Sequence, residues 1–218
     1  MQNVQTMNHF DLSLYLVTDR SLALNRSLEY VVKEAAEGGV TMVQLREKDC
    51  SSKEFLNLAI QLKRCLKSFA IPLIINDRLD IALACDADGL HIGQNDIPYE
   101  IARRLLGKDK IIGLSVEKIQ DVIEANKLDV DYIGISPVFS TPTKTDTAEA
   151  LGLDGVREIT KLSEHPSVGI GGINLSNAHE VIAAGADGIS VVSAIMSHPD
   201  PRLSALQLKD IVVKNKLK

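Results

Sequence analysis

The sequence predicts an α/β protein, a single (β/α)8 TIM barrel in which eight parallel strands are each followed by a helix. Three observations carry this expectation. Short runs rich in Val, Ile and Leu alternate with helical patterns along the whole chain, the signature of repeated βα units. The 218 residues contain no second composition zone, Pro-rich linker or low-complexity tract, so one domain at the small end of the barrel range accounts for them. Polar residues also recur at nearly every strand end. A doubly wound open sheet, the alternative, would gather its ligand groups at one switch point.

In chain order, strands are expected over residues 14–19, 42–47, 73–77, 89–93, 111–116, 132–138, 168–173 and 188–193. Ser51-Ser52-Lys53-Glu54 has the capping-box pattern that opens a helix, the serine oxygen accepting from an amide three residues on. Gly38-Gly39, Gly107 and Gly185 stand where helices should close. The echo between residues 87–90 and 186–189 (Ala-Asp-Gly followed by Leu or Ile) reads as shared helix-to-strand turn chemistry. Residues 1–11 are expected to form a loosely attached leader, and residues 12–218 the barrel.

Composition narrows the function classes. Apolar residues make up 45% and charged residues 24%, and no apolar run reaches the roughly 18 residues of a membrane span. The first residues lack the basic start and apolar stretch of a secretory signal, so a cytoplasmic location is expected. Cys50, Cys65 and Cys85 never form a Cys-x-x-Cys pair and are read as buried thiols. A net charge of −5, with no basic stripe and no Trp, argues against a nucleic-acid partner.

Strands buried on both faces should be continuously apolar, so each charged exception informs. In Gln44-Leu-Arg-Glu-Lys48, Gln44, Arg46 and Lys48 share one side of the strand by their period of two. Arg46 can grip an anion bidentately and Lys48 adds a point charge, a pairing suited to a diphosphate; the plainer alternative is a salt-bridged strand end. Asn76-Asp77 and the Asp96 of Gly93-Gln-Asn-Asp96 place two carboxylates at neighbouring strand ends. Mg²⁺ takes one or two such carboxylates and completes its shell with water and phosphate oxygens. Alternatively, Asp96 caps the helix ahead of which Pro98 stands.

Residues 140–152 are hydroxyl-rich, carry Lys144, and exceed a usual βα turn. They read as a lid over a charged substrate, or as a passive surface loop. Gly169-Ile-Gly-Gly-Ile173 and Ser190-Val-Val-Ser193 end the seventh and eighth strands, where barrels often hold a phosphate on backbone amides. Of the histidines, His9, His165, His179 and His198 look peripheral, while His91 falls within a strand as a packed or site-lining group. No triad order, Walker loop or dinucleotide fingerprint appears.

These motifs, from Leu14-Tyr-Leu-Val-Thr-Asp19 to about Ile195, resemble the thiamine phosphate synthase family. Gln-Leu-Arg-Glu-Lys, Asn-Asp, Gly-Leu-His-Ile-Gly-Gln-x-Asp, Thr-Pro-Thr-Lys, Gly-Ile-Gly-Gly-Ile and Val-Val-Ser stand in family order and spacing. The resemblance implies a transferase that joins hydroxymethylpyrimidine diphosphate to a thiazole phosphate, or its carboxylated form, releasing pyrophosphate and giving thiamine phosphate. It implies that Gln44, Arg46, Lys48, Asn76 and Lys144 hold the diphosphate, and that Asp77 and Asp96 hold Mg²⁺. It further implies that Thr141, Thr143, Gly172, Val192 and Ser193 meet the thiazole phosphate or the charge network of the lid. Ser115 would meet the pyrimidine or the leaving group. Arg46, Lys48, Ser115 and Lys144 would serve catalysis, through a dissociative route that needs no strong base. The partners are thus small molecules, with oligomeric state left open. The chain departs from the family at Arg78, Val116-Glu117 and Thr145. Two alternatives are a thiazole tautomerase, whose histidine would fall near Pro137, and a non-catalytic ligand-binding barrel.

Overall fold

The structure, a computed structural model, describes residues 10–140 and 149–216. Eight strands close into a parallel barrel in chain order: β1 (Leu14–Val17), β2 (Met42–Leu45), β3 (Leu73–Asn76), β4 (Gly89–Ile92), β5 (Ile111–Val116), β6 (Tyr132–Ile135), β7 (Ser167–Ile170) and β8 (Gly188–Val191). The expected barrel is therefore present, and the open sheet is ruled out by the pairing of β8 with β1. Strand starts agree with expectation to within one residue. Strand ends fall up to three residues early, because the polar residues that finish each run already lie in the βα loops.

Helices surround the barrel: α1 (Leu28–Glu37), α2 (Ser52–Lys67), α3 (Leu79–Ala84), α4 (Tyr99–Leu106), α5 (Ile119–Ala125), α6 (Gly152–Leu162) and α7 (Ala178–Ala183). Two follow β8, the four-residue α8 (Ser193–Met196) and α9 (Pro201–Lys216). The caps behave as the sequence signals. Ser51 Oγ accepts from Glu54 N at 3.2 Å to open α2, and Gly39, Gly107 and Gly185 take positive φ just beyond helix ends, a conformation glycine adopts without penalty. In α1, the buried Leu28, Val31, Val32, Ala35 and Ala36 form one stripe, the i, i+3, i+4 pattern of a helix laid on a core. No described helix is long and apolar enough to cross a membrane.

Two apolar cores result. The larger fills the space between strands and helices. The smaller lies inside the barrel and consists of Leu12, Tyr15, Met42, Ile74, Ile111, Tyr132 and Val168, with Phe10 packed beneath. The Phe10 ring meets Tyr132 edge-on at 6.1 Å, and Asp11 pairs with Lys209 at 2.8 Å. Burying such side chains contributes about 1.5–3 kcal/mol each. Gly113 is required here, since a Cβ at that position would run into the Tyr132 ring. Of the cysteines only Cys85 is buried; Cys50, in the loop before α2, and Cys65, on α2, are half-buried.

Candidate active site

A cavity opens at the carboxyl ends of the strands, above the inner core. Its floor is polar because the strand residues one step beyond the inner core carry Gln44, Asn76, His91 and Ser115. These face inward by the two-residue alternation of a strand. Gln44 is only 4% exposed, and its Nε2 donates to the Tyr15 hydroxyl at 2.8 Å. Arg46, Gly172, Val192 and Ser193 line the same cavity. Seven of the residues expected at the site are thus brought together from β2, β3, β5 and the loops after β7 and β8.

The alternation also explains Gln44-Leu-Arg-Glu-Lys48. Leu45 turns outward into the larger core, while Glu47 pairs with Arg20 at 2.7 Å. Arg46 is held by its backbone, whose amide donates to Thr18 Oγ1 at 3.1 Å. Lys48 sits at the rim with its Nζ 3.7 Å from Asp77 Oδ2. The salt-bridged strand end therefore describes Glu47 and Lys48, not Arg46.

Asp77 and Asp96 meet beside Lys48. Asp77 takes φ of 60°, an uncommon left-handed setting for a residue other than glycine, seen more often for Asp and Asn. Its amide donates to His91 O at 2.9 Å, fixing the turn. Burial and the neighbouring Asp96 carboxyl push the Asp77 carboxyl up to about 6. Asp96 does not cap α4, whose N-cap is Pro98; instead its Oδ2 accepts from Gly93 N at 2.7 Å. Arg78, one departure from the family pattern, turns away from the site to pair with Asp80 at 2.6 Å and donate to Ser52 Oγ at 2.8 Å. Among the described residues no group of three or more His, Cys, Asp or Glu forms a metal cluster.

The opposite rim is built from backbone. Gly171 and Gly172 both have positive φ, and their close packing permits nothing larger: a Cβ at Gly172 would lie 2.8 Å from Phe139 Cβ. Val138 N donates to Ile170 O and Phe139 N to Gly171 O, so the base of the loop after β6 is tied to the loop after β7. Val192 and Ser193 begin α8 next to them. Ser190 Oγ is buried in the same wall with no partner among the described residues. Thr141, Thr143, Lys144 and Thr145 lie outside the described residues, as does most of the expected lid.

Sequence patterns missed several groups that build this site. Tyr15, Thr18 and Ser190 fell within motifs without a role for their own side chains, and Tyr132 was given no role. Gln94, whose Nε2 donates to Ser115 O at 2.7 Å, did stand within a quoted motif.

A closed barrel whose cationic, amide and carboxylate groups converge at the strand carboxyl ends defines a barrel enzyme that handles phosphorylated small molecules. Comparison with known proteins narrows this class. Residues 14–195 match the family model described as thiamine monophosphate synthase. The thiamine-phosphate synthase of Leptospira biflexa is 56% identical over 201 residues, covering 90% of this chain and 96% of that protein. That of Syntrophomonas wolfei is 52% identical over 209 residues, covering 96% of this chain and all of the relative. The solved thiamine phosphate pyrophosphorylase of Pyrococcus furiosus superposes with a TM-score of 0.86 at 38% identity, over 94% of this chain and 96% of its own. The chain belongs to the thiamine monophosphate synthase family, transferases of thiamine biosynthesis.

Proposed function

We propose that the chain condenses hydroxymethylpyrimidine diphosphate with a thiazole phosphate, or its carboxylated form, to give thiamine phosphate and pyrophosphate. The observation that carries this proposal is the presence of two anion-suited rims on one cavity. Arg46 and Asn76 form one, beside β3, with Lys48 paired to Asp77 just past the strand ends. Gly172, Val192 and Ser193 form the other at β7 and β8, and β7 stands opposite β3 in an eight-strand ring. Two phosphorylated substrates can then approach each other across the cavity.

In this proposal Gln44, Arg46, Lys48 and Asn76 hold the pyrimidine diphosphate, joined by Lys144, and Ser115 meets its pyrimidine or leaving group. Thr141, Thr143, Gly172, Val192 and Ser193 receive the thiazole phosphate. Positive groups placed where charge grows on the departing diphosphate stabilise the transition state more than the ground state. The thiazole nitrogen is itself the nucleophile, so the chain needs to orient it rather than deprotonate it. Neutral Gln44 and Ser115 serve the other substrate, fixing the pyrimidine through hydrogen bonds so that it faces that nitrogen.

Asp77 and Asp96 are the residues that would hold Mg²⁺. Their chemistry fits a hard divalent ion: burial and the neighbouring Asp96 carboxyl raise the proton affinity of Asp77, the condition that a bound cation relieves. The pair satisfies the one or two protein carboxylates that Mg²⁺ uses when water and phosphate complete its shell. When bound, the ion would supply charge neutralisation on the diphosphate.

The tautomerase alternative finds no support at Pro137, which lines the cavity without a titratable group. We assign residues 12–218 to one catalytic domain acting in the cytoplasm on small molecules. The test is direct: purified protein with Mg²⁺ and both substrates should release pyrophosphate in equal amount to thiamine phosphate. Absence of product at saturating substrate would overturn the proposal.

A further inference from the structure

A chain of five side chains crosses the barrel between two residues of the site. Gln44 Nε2 donates to Tyr15 OH at 2.8 Å, and Tyr15 OH lies 2.8 Å from Tyr132 OH. Tyr132 OH lies 2.9 Å from His91 Nδ1, and His91 Nε2 lies 2.9 Å from Ser115 Oγ. Both tyrosines are buried, and burial raises their proton affinity, so each phenol keeps its proton and has one to donate. Tyr15 accepts from Gln44, which leaves Tyr132 as the partner for its own proton. Tyr132 then donates to His91 Nδ1, and a neutral imidazole that accepts at one nitrogen donates at the other.

We propose that Tyr15, Tyr132 and His91 are positioning residues that hold His91 as the neutral Nε2–H tautomer and thereby turn the Ser115 hydroxyl proton into the cavity. Ser115 receives the histidine's hydrogen bond on its oxygen, so its own proton is available to an acceptor of the pyrimidine diphosphate. At the other end, Gln44 commits one amide N–H to Tyr15 and keeps its carbonyl and second N–H for the ring. No proton is transferred; the chain sets direction. The inference rests on the proposed condensation for what occupies the cavity.

The surrounding strands are built for this chain. A Cβ at Gly113 would strike the Tyr132 ring, and one at Gly134 would press on His91 Cε1 at 3.2 Å. Gln94 fixes the Ser115 carbonyl from the other side. Space-filling alone would be met by Phe and Leu, without four successive contacts between polar atoms. Buried polar networks of this kind specify a unique arrangement when every member is satisfied.

The test uses the whole chain labelled with ¹⁵N-histidine, the His91 resonances being identified by their loss in His91→Asn. The expected pattern is an unprotonated Nδ1 and a protonated Nε2, with the Nδ1 resonance moving in Tyr132→Phe. In steady-state kinetics Tyr132→Phe should lower kcat about tenfold, the size of one lost hydrogen bond, while leaving the KM for thiazole phosphate unchanged. An Nδ1–H tautomer in the unmodified protein, or a folded Tyr132→Phe with undiminished kcat, would overturn the proposal. If Tyr132→Phe does not fold, the tautomer of the unmodified protein decides alone. Failure of the unmodified protein to make thiamine phosphate would instead remove the functional proposal, while the tautomer still reports on the hydrogen-bonded chain.

Discussion

Asp77 and Asp96 leave neighbouring strands, and after burial the Asp96 carboxyl is the main influence that raises the proton affinity of Asp77. Neighbouring carboxylates favour a proton or a cation between them. The backbone of Asp77 is fixed in a left-handed setting, and Asp96 is held by the Gly93 amide it accepts from. The pair is therefore set by the fold before any ligand arrives.

The first prediction concerns pH. The Asp77 carboxyl is raised from 3.8 to about 6, so between these values the folded chain binds a proton that the unfolded chain has lost. Stability must then fall as pH rises through this window. Mg²⁺ that replaces the proton should raise the melting temperature more above about pH 6 than below it. Thermal melts with and without Mg²⁺ across this range check the claim, and a pH-independent Mg²⁺ effect would count against it.

Asp77→Asn removes the charge while keeping a residue that tolerates left-handed backbone. The protein should remain folded, and turnover should drop by about a hundredfold or more even at high Mg²⁺, since metal charge stabilisation contributes several kcal/mol. Rate measurements at increasing Mg²⁺ test this. An unaffected rate would remove Asp77 from the metal site.

Arg46→Lys keeps the positive charge but loses the fork that grips two oxygens at once. Its expected cost is about tenfold in kcat/KM for the pyrimidine diphosphate. By contrast, Arg78→Ala should leave turnover unchanged to within about twofold. Arg78 is satisfied by Asp80 and Ser52 outside the cavity. Steady-state assays of both variants separate a residue that faces the substrate from a neighbour that does not.

Much of the architecture was legible because parallel strands buried on both faces must be apolar, which makes each strand visible and each polar exception meaningful. Strand ends were read too long for the same reason: β6 was expected to reach Val138 but stops at Ile135. Pro137 has no N–H for the ladder, although Val138 N still reaches Ile170 O at 2.8 Å. The rims of the site were visible as Arg46, Lys48, Asp77, Asp96 and Gly172. Its floor was not. Tyr15 and Tyr132 occupy positions where any large apolar ring would fit, and nothing in their spacing reveals that their hydroxyls meet Gln44 and His91.

The glycine rim yields the last prediction. Gly172 has φ of 66°, and a Cβ there would lie 2.8 Å from Phe139 Cβ and 2.9 Å from Ser140 O, closer than side chains pack. Gly172→Ala must therefore displace either its own loop or the start of the loop after β6, and both border the rim assigned to the thiazole phosphate. The KM for that substrate should rise by about tenfold or more, a displacement costing on the order of 1–3 kcal/mol. The KM for the pyrimidine diphosphate, assigned in the proposal to Arg46 and Lys48 across the barrel, should stay nearly constant. Measuring both constants in the same variant tests the two-rim arrangement: an equal rise in both would mean that the cavity does not divide its substrates between β3 and β7.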